Sequence, residues 1–120
     1  MRATNPVLQV QVSLTRDNVP QFTYWMNGVL CDGSVIVKRS ETITYQLVKS
    51  EGFSFVGAGF ITPFDGVIDA VCVSADGQEL VFEDQDTVAG ITKFQLILRN
   101  NRNSLLLLSP DPQVVNRKEN

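Results

Sequence analysis

Glu83-Asp84-Gln85-Asp86 is the densest group of carboxylates in the chain. Carboxylate oxygens gathered in one loop suit calcium. Asp84 and Asp86 are two residues apart, which places both on one side of an extended segment. An EF-hand loop needs glycine at its sixth position, and counting from Asp84 no glycine stands there. Solvated loop acids are the plain reading of Glu83, Asp84 and Asp86, and calcium ligation is the functional one. Elsewhere the chemistry thins out. The chain has no histidine. That excludes a Ser-His-Asp or Cys-His pair within the chain, and any His-liganded zinc. It also removes the imidazole that shuttles protons near neutral pH. Paired carboxylates for glycoside hydrolysis are formally open, but nothing selects a pair from 13 acids.

Gly57-Ala58-Gly59 starts like a phosphate cradle, but neither the third glycine nor a Lys-Ser/Thr ending follows. These glycines read as room for a bulky neighbour such as Trp25 or Phe94. Cys31 and Cys72 form no C-x-x-C pair, so free, buried thiols are expected, with a disulfide as the alternative. Trp25 reads as a core residue, although either Tyr24 or Trp25 must face outward. The chain is expected to be no enzyme and to need no cofactor.

What positions these residues is alternation. Leu8, Val10, Val12 and Leu14 fall on one side of a strand, and Gln9, Gln11 and Ser13 on the other. Residues 42–48 and 91–99 alternate in the same way. Asn27-Gly28, Asp32-Gly33 and Asp76-Gly77 are hairpin signals. Glu79 to Glu83 is expected to pair across the last of these, with Leu80 and Phe82 inward. Leu105 to Leu108 is apolar on consecutive positions, which means burial on both faces or an interface. Pro110 and Pro112 stop it. Residues 113–120 are expected to be a frayed tail.

The 120 residues suit one domain, spanning residues 1–120. Eight or nine short strands with turn residues between them predict an all-β fold. An antiparallel β-sandwich is preferred, immunoglobulin-like in general architecture. Trp25 precedes both cysteines, so the hallmarks of a true immunoglobulin domain are absent. The first apolar residues alternate with glutamines rather than forming a secretory signal, and a cytoplasmic protein is expected. No run approaches the ~20 apolar residues that span a bilayer.

The net charge of -3 conceals a split. Residues 51–90 carry eight acids and no base, and residues 91–120 carry five bases and two acids. The strand over residues 91–99 is expected to lie against an acidic neighbour. The functional alternative is contact between the acidic edge of one copy and the basic edge of another. With a pI near 4.8 and no aromatic-interleaved basic stripe, no nucleic acid is expected as a partner. Neither is a membrane.

Three stretches carry a family resemblance. They are Phe60-Ile61-Thr62-Pro63-Phe64-Asp65-Gly66, the Asp76-Gly77 hairpin with Leu80, and Ser109-Pro110-Asp111-Pro112-Gln113-Val114-Val115-Asn116. The Asp111-Pro112-x-Val114-x-Asn116 ending is the most specific. Together they resemble the DP-EP proteins, and the resemblance covers the second half of the chain. It implies a bacterial or phage-borne, single-domain, mostly β protein, and it supplies no catalytic residues. Read without it, Asp111-Pro112 is a turn, and Asn116 can bond to backbone to close a loop.

The leading expectation is a non-enzymatic interaction or assembly module that binds a protein partner or self-associates as a homo-oligomer. Leu105, Leu106, Leu107, Leu108, Arg99 and Arg102 are its interface candidates. The alternative is a small-ligand or carbohydrate-binding module, calcium-assisted through residues 83–86, with one exposed aromatic.

Overall fold

The computed structural model describes residues 5–110 and 112–117. Among these the chain forms eleven strands and no helix. They are β1 (Val7–Leu14), β2 (Pro20–Met26), β3 (Val29–Cys31), β4 (Val35–Val37), β5 (Glu41–Leu47), β6 (Phe53–Phe60), β7 (Ala70–Val73), β8 (Glu79–Asp84), β9 (Gly90–Asn100), β10 (Leu106–Leu108) and β11 (Gln113–Asn116). The fold is a β-sandwich and not a closed barrel. One sheet runs β3-β2-β1-β5-β8-β7. In the other, β9 pairs with β6 on one side. On its other side β9 pairs with β10 along Ile97–Arg99 and with β11 along Gly90–Lys93, and β4 lies beyond β11.

The hairpins at Asn27-Gly28 and Asp76-Gly77 form, with both glycines at positive φ. Two pairings are parallel, β1 with β5 and β4 with β11. A tight hairpin forces antiparallel pairing, but strands far apart in the chain are free of that constraint. The two strands beyond the expected number are β3 and β11.

β11 corrects the frayed-tail expectation for residues 113–116. Val114 and Asn116 are buried, and the strand sits between β9 and β4. Pro112 precedes the strand, where no ladder N–H is required, and its carbonyl accepts the Phe94 amide at 3.2 Å. Asp111 and residues 118–120 lie outside the described residues.

The inward faces meet in one apolar core. Phe82 of β8 and Phe94 of β9 cross edge to face at 4.9 Å between centroids, so this pair bridges the two sheets. Tyr45 packs on both rings, at 5.6 and 5.9 Å. Such pairs contribute about 0.5–1.5 kcal/mol each beyond their burial. The Tyr45 hydroxyl donates to the Gly33 carbonyl at 2.6 Å, which satisfies the one polar atom this ring brings inside.

Several expectations fail for local reasons. Tyr24 takes the inward side of β2, so Trp25 lies half-buried on the outer face rather than in the core. Gly57 has open space where a side chain would be, and Gly59 meets only Ile97. They mark a β-bulge at Val56 rather than room for an aromatic. Both cysteines are free, with Cys31 half-buried at the end of β3 and Cys72 exposed on β7. Each stands on a strand that ends the six-stranded sheet, where Cys31 only borders the core and Cys72 faces solvent. The strands beside β9 are β6, β10 and β11, and none carries an acid. The acids of β8 belong to the other sheet, so among the described residues the basic strand has no acidic neighbour strand.

Candidate functional site

Alternation along β8 directs Leu80, Phe82 and Asp84 inward and leaves Glu83 exposed. Asp84 is therefore no solvated loop acid, since the residue is 1% exposed. Asp86 does not share its side of an extended segment, because its φ is +54°. Instead the Asp86 amide turns back and donates to Asp84 Oδ1 at 2.8 Å. Asn116, 3% exposed on β11, reaches the same oxygen from the other sheet. Its Nδ2 lies 3.1 Å from Asp84 Oδ1, and 3.0 Å from each of the Val67 and Val88 carbonyls. One amide thus ties β11 to the end of β8 and to the loops on either side. Asp84 Oδ2 and Asn116 Oδ1 are buried without a hydrogen-bond partner among the described residues. Burial pushes the Asp84 carboxyl up to about 6, assisted by the nearby charges of Asp86 and Asp69 and opposed by the Asp86 amide and Asn116. Among the described residues, no three His, Cys, Asp or Glu side chains gather as a metal ion would need. The Asp84–Asn116 bond joins the two sheets at the acidic loop.

The charge split resolves into two strand edges. β7 ends the six-stranded sheet, and the segment leading into it carries acids and exposed apolar groups. There the Thr62 hydroxyl donates to Asp65 Oδ2 at 2.7 Å, and the Val67 amide donates to Asp65 Oδ1 at 2.9 Å. This fixed turn holds Phe64 in solvent at 98% exposure. Ile61 and Val71 are also exposed. Burial raises the Asp65 pKa, but the Val67 amide and the Thr62 hydroxyl outweigh it, so the net shift is downward. The Ser74 hydroxyl and the Gln78 amide hold Asp76 below the ordinary range. Asp69 is exposed and lines the same hollow as Asp65.

β10 is the opposite case. Among the described residues its one partner strand is β9, and none pairs with its far edge. Leu105, Leu106 and Leu108 are exposed, Leu106 at 61%. Leu107 alone packs against the core. Of the two readings of this apolar run, burial on both faces therefore fails. Arg99 stands opposite Leu106 in the register, and Arg102 is exposed in the turn between the strands. Among the described residues neither arginine has an acidic partner. β9 separates β10 from β6, and β6 bonds to the β7–β8 hairpin through the Phe55 amide and the Gly77 carbonyl at 2.7 Å. The Asp65–Asp69 segment, beside Phe60, and the basic edge therefore lie on opposite flanks of the β6–β9 pair, whereas Asp76 stands nearer the basic side, since Gly77 abuts Ser54, the register partner of Arg99.

Sequence reasoning located the basic edge and missed the acidic one. The place of Phe64 inside Pro63-Phe64-Asp65-Gly66, a turn sequence, is a legible sign of its exposure. No helix among the described residues is long and apolar enough to cross a membrane.

The chain matches the family model described as the DP-EP family over residues 6–118, well beyond the second half where the motifs stand. No curated protein matches it.

Proposed function

The chain belongs to the DP-EP family, and we propose that it is a non-enzymatic assembly module that joins copies of itself head to tail. One observation carries this reading: two strand edges on opposite flanks, both apolar at their centres and opposite in charge. Ile61, Phe64 and Val71 with Asp65 and Asp69 form one edge. Leu105, Leu106 and Leu108 with Arg99 and Arg102 form the other. An open edge strand is a template for a further strand, and complementary charge selects the partner and its direction. Unlike surfaces in contact make a heterologous interface, which closes into a ring or runs on as a filament. Two like edges would instead bring arginine against arginine. Two free thiols suit the reducing cytoplasm, where we place the protein.

The test is sedimentation over a range of concentration and salt. Association should be strongest at low salt and weaken as salt rises. A monomer at every concentration and low salt overturns the proposal.

A further inference from the structure

The outer face of the six-stranded sheet carries a feature that assembly does not use. Leu30, Trp25, Gln9, Gln46 and Glu79 stand in one row across β3, β2, β1, β5 and β8. The Gln46 amide donates to Glu79 at 3.0 Å. The side chains of Gln9, Gln11 and Trp25 make no hydrogen bond among the described residues. These three, with Gly28, Val48 and Lys49, line a groove of about 440 Å³. The Asn27-Gly28 turn bounds it on one side, and Lys49, at the unusual φ of +50°, bounds it on the other.

We propose that this groove binds a saccharide that bears a carboxylate. Three chemistries converge on that class. An indole offers a flat apolar face to the C–H side of a pyranose ring. A glutamine amide presents a donor and an acceptor side by side, which matches a pair of neighbouring ring hydroxyls, and two such amides lie on one strand at Gln9 and Gln11. Lys49 is the one charged residue in the lining and attracts an anionic substituent. The volume lies within the range of about 300–1,000 Å³ usual for small-ligand sites. A phosphodiester strand fits less well. A phosphodiester strand is held by several cations along its backbone, and Lys49 is the one charged residue among the described lining residues.

Trp25 is the single tryptophan, so its fluorescence reports on the groove directly. Di-glucuronate, the uncharged glucose disaccharide and uridine monophosphate would each be titrated into the full chain. The expected result is a saturable change with the glucuronate, weaker binding of the neutral sugar and none of the nucleotide. The double variant Q9A/Q11A keeps the fluorophore and should weaken glucuronate binding at least about tenfold with an unchanged melting temperature. K49M should erase the preference for the acidic sugar while leaving the neutral one unaffected. No response to either sugar overturns the proposal, as does nucleotide binding equal to or tighter than that of the glucuronate. Binding that is indifferent to Q9A/Q11A overturns it as well.

Discussion

The Asn116 amide nitrogen lies 3.1 Å from Asp84 Oδ1, with both residues buried and each on a different sheet. The motif that most clearly marks the family therefore ends in the residue that fastens the last strand to the acidic loop.

Removing this amide leaves the Val67 and Val88 carbonyls and one Asp84 oxygen without their shared donor. N116A should lower the unfolding free energy by about 3 kcal/mol, since each buried polar group left unsatisfied costs about 1–3 kcal/mol and some will recruit water. Equilibrium urea unfolding measures this. A loss below about 1 kcal/mol would mean that the loops hold without Asn116.

Asp84 makes stability depend on pH in a direction opposite to that of most carboxylates. Its folded pKa of about 6 lies above the unfolded 3.8. Between these values the folded state binds more protons than the unfolded one, so stability falls as pH rises from about 4 to about 6 and levels off beyond. The fall should be on the order of 1–3 kcal/mol. In D84N it should vanish. An unchanged slope in D84N would assign the effect to another group.

Two glycines should respond differently to the same methyl group. At Gly33, φ is +87° and a Cβ would stand 3.0 Å from the Tyr24 ring. Moving this backbone also disturbs the carbonyl that accepts the Tyr45 hydroxyl. G33A should therefore cost about 2 kcal/mol. At Gly57 a Cβ meets nothing within 4 Å, and G57A should stay within about 0.5 kcal/mol of the parent. Thermal melts of the pair decide it, and equal losses would contradict the packing described.

The cysteines should titrate as two thiols without added reductant. Cys72 is exposed and should react with a disulfide reagent ahead of half-buried Cys31. A single slow phase for both would contradict this placement.

Much of the fold was legible because period-two alternation is a local signal. β1, β5, β8 and β9 could be read from it directly, inward faces included. Other parts depended on contacts that no local pattern encodes. β11 alternates over four residues only, and its partners β9 and β4 come from elsewhere in the chain. Asp84 reads as one acid among several, and its burial depends on the strand register that sets it inward and on Asn116 arriving from the far sheet. The basic edge could be named from Leu105–Leu108 and the arginines. Its acidic counterpart required knowing that β7 ends a sheet and that the Asp65 turn holds Phe64 out in solvent.

Head-to-tail assembly is tested most directly by blocking one edge at a time. F64S changes a side chain that is 98% exposed, and L106E places an acid on the open strand beside Arg99. Neither removes a core contact. Light scattering at low salt should show each variant associating less than the parent. An equimolar mixture should form a dimer and nothing larger, because each variant retains the one good edge that the other lacks. Contradicting results would be a parent that is monomeric at every concentration, or variants that assemble as the parent does.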